Sequence, residues 1–198
     1  GVVGAVTVEV SVNGADYSGS RVTFVYQAGA SVSHVTPSTG PEQGGTKVVV
    51  SGSGFVAARE LLCEFGSKQH RTAASWLSSS AVSCTTPAHM PGDVAVRVSL
   101  NGQQFTNSSA VFAFHANAMV SKLKPTLGSV AGATRVAVFG SGFLNNTAAR
   151  CKFGSITVAA NFLSESEIMC ISPAQQATGT VDVSVSNNGV DFTSTTAP

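Results

Sequence analysis

Apolar and polar residues alternate in short runs along the whole chain. Val6, Val8, Val10 and Val12 are separated by Thr7, Glu9 and Ser11, and Val94, Val96, Val98 and Leu100 by Ala95, Arg97 and Ser99. Val181, Val183 and Val185 are separated in the same way by Asp182 and Ser184. A period of two puts alternate side chains on opposite faces of an extended backbone, so each run predicts a strand with one face in a core and the other in water. No window shows helical spacing of comparable quality. Clusters of Gly, Pro, Asn and Ser lie between the runs. Short strands punctuated in this way predict an all-β chain of sandwiches with about seven strands each.

The pattern also repeats at long range. GSGFVAARELLCEFG at residues 52–66 returns as GSGFLNNTAARCKFG at residues 140–154, 88 positions on. AASWLSSSAVSCTTP faces AANFLSESEIMCISP, and GDVAVRVSLNGQQFT faces GTVDVSVSNNGVDFT, with offsets that stay between 86 and 88. A third, partial copy opens the chain, where GAVTVEVSVNGADYSGSRVTFVY matches GDVAVRVSLNGQQFTNSSAVFAF. The expected organisation is the last two strands of one repeat at 1–29, a complete repeat at 30–116, and a repeat lacking its last strand at 117–198.

The recurring pieces have structural roles. The glycine pairs Gly52/Gly54 and Gly140/Gly142 are read as tight turns with positive φ, after which Phe55 and Phe143 enter the core. Asn13-Gly14, Asn101-Gly102 and Asn188-Gly189 are hairpin-turn signals. Pro87 and Pro173 are expected to end strands. Trp76 and Phe162, at matching places, are expected to be buried against a disulfide.

Cysteine and charge narrow the setting. Cys63 and Cys84 fall in one repeat and Cys151 and Cys170 in the next, at separations of 21 and 19. Zinc sites usually contain at least one tight pair such as C-x2-C, which is missing, so two disulfides within repeats are the economical reading. Each closes a loop that stabilises a small domain by about 3 kcal/mol in the chain-entropy model and implies an oxidising compartment. Charged residues make up 11% of the chain and the formal net charge is +1. Without a broad basic field, nucleic acid and acidic membrane surfaces are not the expected partners. No apolar stretch reaches the ~18 residues of a membrane span, so direct membrane insertion is not expected, and GVVGAV lacks the basic residues that open a signal peptide.

The ordered set V-x-x-x-x-P, G-x-G-F, C-x-F-G, C-x-x-P, G-x-V-x-V-x-V, N-G and F-x-F/Y resembles the immunoglobulin-like IPT/TIG domain. It is carried by Pro37, residues 52–55, residues 63–66, residues 84–87 and Phe112/Phe114. That resemblance implies tandem immunoglobulin-like β-sandwiches. It also implies the setting of large cell-surface proteins, where such domains stand in tandem and carry no catalytic residues. Transcription-factor members are attached to a basic DNA-binding domain, which does not occur in this sequence.

Candidate chemistry is sparse. His34, His70, His89 and His115 show no metal-pair spacing and do not correspond between repeats. Ser53 and Ser141 stand in duplicated turns rather than a nucleophile elbow. Asp16 and Asp191 follow their Asn-Gly turns, but the complete repeat has Gln104 there and no D-x-D cluster supplies calcium's oxygen ligands. No cofactor or metal is therefore expected. The sequons at Asn107 and Asn145 fall in expected turns, open to N-glycosylation.

The expected function is that of a non-catalytic structural or adhesive segment of a larger extracellular or cell-surface protein, forming a semi-rigid rod within a filament or surface coat. Its partners are other repeats of that protein, with protein or glycan ligands at the surface. The alternatives are a ligand-binding receptor ectodomain, and a spacer or carbohydrate-binding module of a secreted enzyme, which needs an exposed aromatic platform. The incomplete repeats at either end admit two explanations: further strands in a longer protein, or homo-assembly in which the opening hairpin completes another copy's last repeat.

Overall fold

A computed structural model describes residues 4–194 of the chain; the first three residues of the expected repeat at 1–29 and the last four of that at 117–198 fall outside that range. The first pair of strands, β1 (Gly4–Val8) and β2 (Val22–Tyr26), forms an antiparallel hairpin with Val6 opposite Phe24 and Gly4 opposite Tyr26. Alternation created these strands, yet no second layer covers them. Val6 is 45% exposed and Phe24 53%.

Eight strands build the next unit: β3 (Ser31–Thr36), β4 (Thr39–Pro41), β5 (Lys47–Ser53), β6 (Leu62–Phe65), β7 (Arg71–Ser78), β8 (Ala81–Thr85), β9 (Gly92–Ser99) and β10 (Val111–His115). Their order is β3-β5-β8-β7-β6-β9-β10-β4, antiparallel except for β10 beside β4. A second unit repeats the plan with β11 (Met119–Lys124), β12 (Arg135–Ser141), β13 (Arg150–Phe153), β14 (Ile156–Ser164), β15 (Glu167–Ile171) and β16 (Val183–Ser186), in the order β11-β12-β15-β14-β13-β16. The Thr36–Pro37 and Lys124–Pro125 peptide bonds are cis in both.

β7 belongs to both layers of its sandwich. Arg71, Thr72 and Ala73 pair with β6, and from Ala74 onward the strand pairs with β8. β14 crosses in the same way, from β13 to β15 between Ala159 and Ala160. A strand that changes sheets turns a corner of the sandwich, and the small alanine pair falls at that crossing in each unit.

Cys63 on β6 and Cys84 on β8 therefore lie in different layers, and the disulfide between them pins the layers together across a Cα–Cα distance of 6.4 Å. Cys151 and Cys170 are joined in the same way. Around the first bridge Val48, Val50, Phe55, Val82, Val96 and Val98 are buried, closed below by edge-to-face contacts of Phe65 with Phe112 and Phe114. Around the second, Val138, Phe143, Phe153, Ile168 and Val185 are buried.

Three sequence expectations are corrected. Trp76 is 45% exposed and Phe162 half-buried, because the cysteines' cross-strand partners are Ala74 and Ala160. Trp76 and Phe162 sit opposite Val82 and Ile168, two residues further toward the strand end, where the indole Nε1 donates to the Phe55 carbonyl at 3.2 Å. Only the second glycine of each G-x-G-F has positive φ, +74° at Gly54 and +71° at Gly142. Gly52 and Gly140 are glycines for space: a Cβ there would overlap the carbonyl oxygen of Ser31 or Met119. Val181, expected inward, is 41% exposed, since β16 begins only at Val183. In the first unit the corresponding part of β9 is held by β10, with Phe112 opposite Val94.

Candidate functional surfaces

One loop occurs three times. After Val10, Val98 and Val185 the chain turns at Asn-Gly and returns eight residues later, where the amides of Ser18, Thr106 and Thr193 donate to those valine carbonyls at 2.9, 2.9 and 2.8 Å. Each returning hydroxyl accepts the same valine's N–H, at 3.1, 3.0 and 3.1 Å. Inside the loop the asparagine Oδ1 accepts two backbone amides, those of Ala15 and Asp16, Gln103 and Gln104, or Val190 and Asp191. Its Nδ2 donates to the side chain of Asp16, Gln104 or Asp191. Positive φ falls on Gly14, Gly102 and Gly189 and not on the asparagines. The two-residue hairpin that Asn-Gly predicts is thus replaced by a longer side-chain-closed turn. The Ser/Thr five residues after each asparagine is the signal that sequence reading overlooked.

The third copy of this loop touches the preceding unit. Residues 116–118 join β10 to β11. Across that joint the Thr46 hydroxyl donates to Asp191 Oδ2 at 2.7 Å and Asn188 Nδ2 donates to the Thr39 carbonyl at 2.8 Å. The Asn117 amide donates to Glu42 Oε1 at 3.3 Å.

A charged cluster covers the outer face of β6, β7 and β9. Glu64, whose side chain is 6% exposed, accepts from Arg71 at 2.8 Å, and Arg97 approaches it at 3.6 Å. The Arg71 guanidinium lies over the Phe105 ring at 4.2 Å. With Lys68 these groups rim a shallow polar groove. The second unit has Lys152 at the place of Glu64, with its ammonium 5.5 Å from the Phe192 ring. A cation over the matching aromatic recurs there, supplied by β13 instead of the strand that follows it.

The fold brings together two histidines that the sequence separates. The His70 and His89 rings are 4.4 Å apart, and His89 stacks on Phe114 at 4.9 Å. His34 and His115 lie elsewhere, on β3 and β10. Among the described residues no three His, Cys, Asp or Glu side chains are grouped so as to hold a metal. Asp16 and Asp191, weighed for calcium, are engaged by Asn13 and by Asn188 with Thr46. Asn107 and Asn145 are both exposed and outside strands. No helix among the described residues is long and apolar enough to cross a membrane.

A family model described as the IPT/TIG domain matches residues 30–114 and again residues 118–198. The chain belongs to the IPT/TIG family. Its two matched segments coincide with the two disulfide-pinned sandwiches. Human fibrocystin-L is 27% identical over 180 residues, 85% of this chain, and human plexin-A3 is 24% identical over 152 residues, 70% of this chain. The chain spans only 4% of fibrocystin-L and 8% of plexin-A3. Among solved structures, the full extracellular region of plexin A4, domains 1 to 10, matches with a TM-score of 0.54 at 22% identity over 91% of this chain and 17% of that one. That likeness concerns the fold of the IPT/TIG domains.

Proposed function

We propose that this chain is a non-catalytic segment of a larger extracellular or cell-surface protein, in which consecutive IPT/TIG domains stack into a semi-rigid rod. The observation that carries the reading is the joint between the two sandwiches: a connector of residues 116–118, bridged by Thr46–Asp191 and Asn188–Thr39 hydrogen bonds. A linker this short leaves little slack, and polar contacts across it favour one orientation. Two disulfides fit an oxidising compartment, and the similarity to fibrocystin-L and the plexins supports an extracellular setting. Residues 1–29 are read as the tail of a preceding repeat, supported by the shared closure of the loop at Val10 and Ser18. Asn107 and Asn145 are proposed as glycan carriers, and a mass loss on enzymatic deglycosylation of secreted material tests them.

Small-angle scattering on the chain tests the rod. An elongated particle described by one conformation is expected; scattering that requires a broad ensemble of interdomain angles overturns it. A mass that doubles with concentration in the same experiment reveals homo-assembly.

A second reading, a protein-ligand surface, is favoured by one observation. Trp76 and Leu77 are exposed side by side, and Leu163 is exposed at the matching place of the next domain. Both leucines stand at register shifts, between Trp76 and Ser78 and between Phe162 and Ser164.

A further inference from the structure

The loop that closes on Asn188 does two things at once. Asn188 Oδ1 holds the turn together by accepting from Val190 and Asp191, while its amide group donates both to Asp191 and across the joint to the Thr39 carbonyl. Asp191 Oδ2 likewise accepts from its own turn and from the Thr46 hydroxyl of the preceding domain. The receiving surface is specific. Thr46 is fully buried, and Gly40 packs so closely on its side chain that any larger residue would displace the hydroxyl.

Both elements recur in the chain. The turn at residues 13–16 is again Asn-Gly-x-Asp with the same Asn-to-Asp side-chain bond, and Gly128 packs on Thr134 as Gly40 does on Thr46, at the same spacing. The complete domain differs at one place, with Gln104 where the others have aspartate.

We propose that the Asn-Gly-x-Asp turn is a docking key and the Gly-x5-Thr turn its lock, and that this pair is the surface by which one IPT/TIG domain recognises and orients the next. The partner of each such key is an IPT/TIG domain whose turn after its first strand carries Gly-x5-Thr. Aspartate gives a charge-assisted, short bond to the buried threonine hydroxyl, so an Asp junction is stiff; a glutamine at the same place gives a neutral contact on a longer side chain and a looser junction. This rests on the rod reading and names the contact that makes it rigid.

The test uses the whole chain, isotopically labelled and weakly aligned, with residual dipolar couplings fitted separately for residues 30–114 and 118–194. One shared alignment tensor is expected for the unaltered chain. Thr46→Val, which keeps the shape and removes the donor, and Asp191→Ala, which removes the acceptor, are each expected to abolish that sharing, and Asp191→Gln to weaken it. The double variant is expected to go no further than either single one, because both remove the same bond. Unchanged amide shifts of Val190 and Gly189 in Thr46→Val establish that the turn itself is intact. A shared tensor retained in Thr46→Val overturns the key-and-lock assignment while leaving the rod standing. Separate tensors in the unaltered chain overturn the rod, and the proposal with it.

Discussion

Gly52→Ala is expected to be among the most damaging single-methyl additions to the first domain. Gly52 lies in β5 opposite Val32, and its missing Cβ would fall on the Ser31 carbonyl oxygen, 2.8 Å from the Phe55 ring and 2.9 Å from the Ser31 carbonyl carbon. The obstructing atoms are mostly backbone, so no rotamer change relieves the clash. β3 must instead draw away from β5 around the Ser31–Ser53 and Val32–Gly52 pairs. Two weakened backbone hydrogen bonds at about 1 kcal/mol each, added to an overpacking cost of about 1–2 kcal/mol, give roughly 3–4 kcal/mol. For a domain of this size about 4–8 °C of melting temperature goes with each kcal/mol, so a fall of at least about 12 °C is expected. Gly54→Ala faces a different obstacle, a φ of +74°, and is expected to cost only about 1–2 kcal/mol. Trp76 is the single tryptophan and stands in the first domain, so its fluorescence follows that domain alone during thermal or urea unfolding. Gly140→Ala, the matching change in the second domain, is expected to leave the Trp76 transition in place, as is Gly29→Ala, whose Cβ meets nothing within 4 Å. A Gly52→Ala transition within about 0.5 kcal/mol of the Gly29→Ala one refutes the steric account of the motif.

Replacing both Cys151 and Cys170 by alanine is expected to destabilise the second domain by about 3 kcal/mol, seen as an early circular-dichroism transition with the Trp76 signal unmoved. Thr106→Val leaves the Val98 amide without its 3.0 Å side-chain acceptor and is expected to cost about 1 kcal/mol by urea unfolding, whereas Thr106→Ser should restore nearly all of it. Glu64→Ala removes a buried acceptor but strands two arginines that are 27% and 43% exposed and stay hydrated, so a cost of about 1–2 kcal/mol is expected rather than that of a fully buried pair.

Much of this architecture was legible because strand alternation reports directly on burial. Val48, Val50, Val96, Val98, Val138 and Val185 are all inside, and Phe55 and Phe143 anchor the core where the repeat placed them. The same alternation gives a strand at Val6 and Val8 but no core, and the strand stops before Val10 and Val12, since periodicity shows which side chains share a face and not whether another layer covers it. Trp76 was misplaced because sequence proximity to Cys84 says nothing of cross-strand register, which gives Cys84 to Ala74. The sheet change within β7 left no trace beyond a pair of alanines. The docking surface was half visible: Asp191 stood out as an acidic residue after a turn, but its partner Thr46 lies 145 positions away and only the stacking of two domains unites them.

The reversal of charge between Glu64 and Lys152 bears on how two neighbours of the same plan fold without exchanging parts. Tandem domains with matching strands are prone to interdomain misassembly while both are being made. If β13 took the place of β6, Lys152 would enter the position where Arg71 and Arg97 converge and set three cations around a site that is buried when occupied by Glu64. If β6 took the place of β13, Glu64 would lie opposite Thr157 and Ser184, with neither arginine to receive it. The first exchange sets like charges together, and the second takes Glu64 away from both of its arginines. Divergence at this single position thus makes each strand a poorer fit to its neighbour's sandwich than to its own.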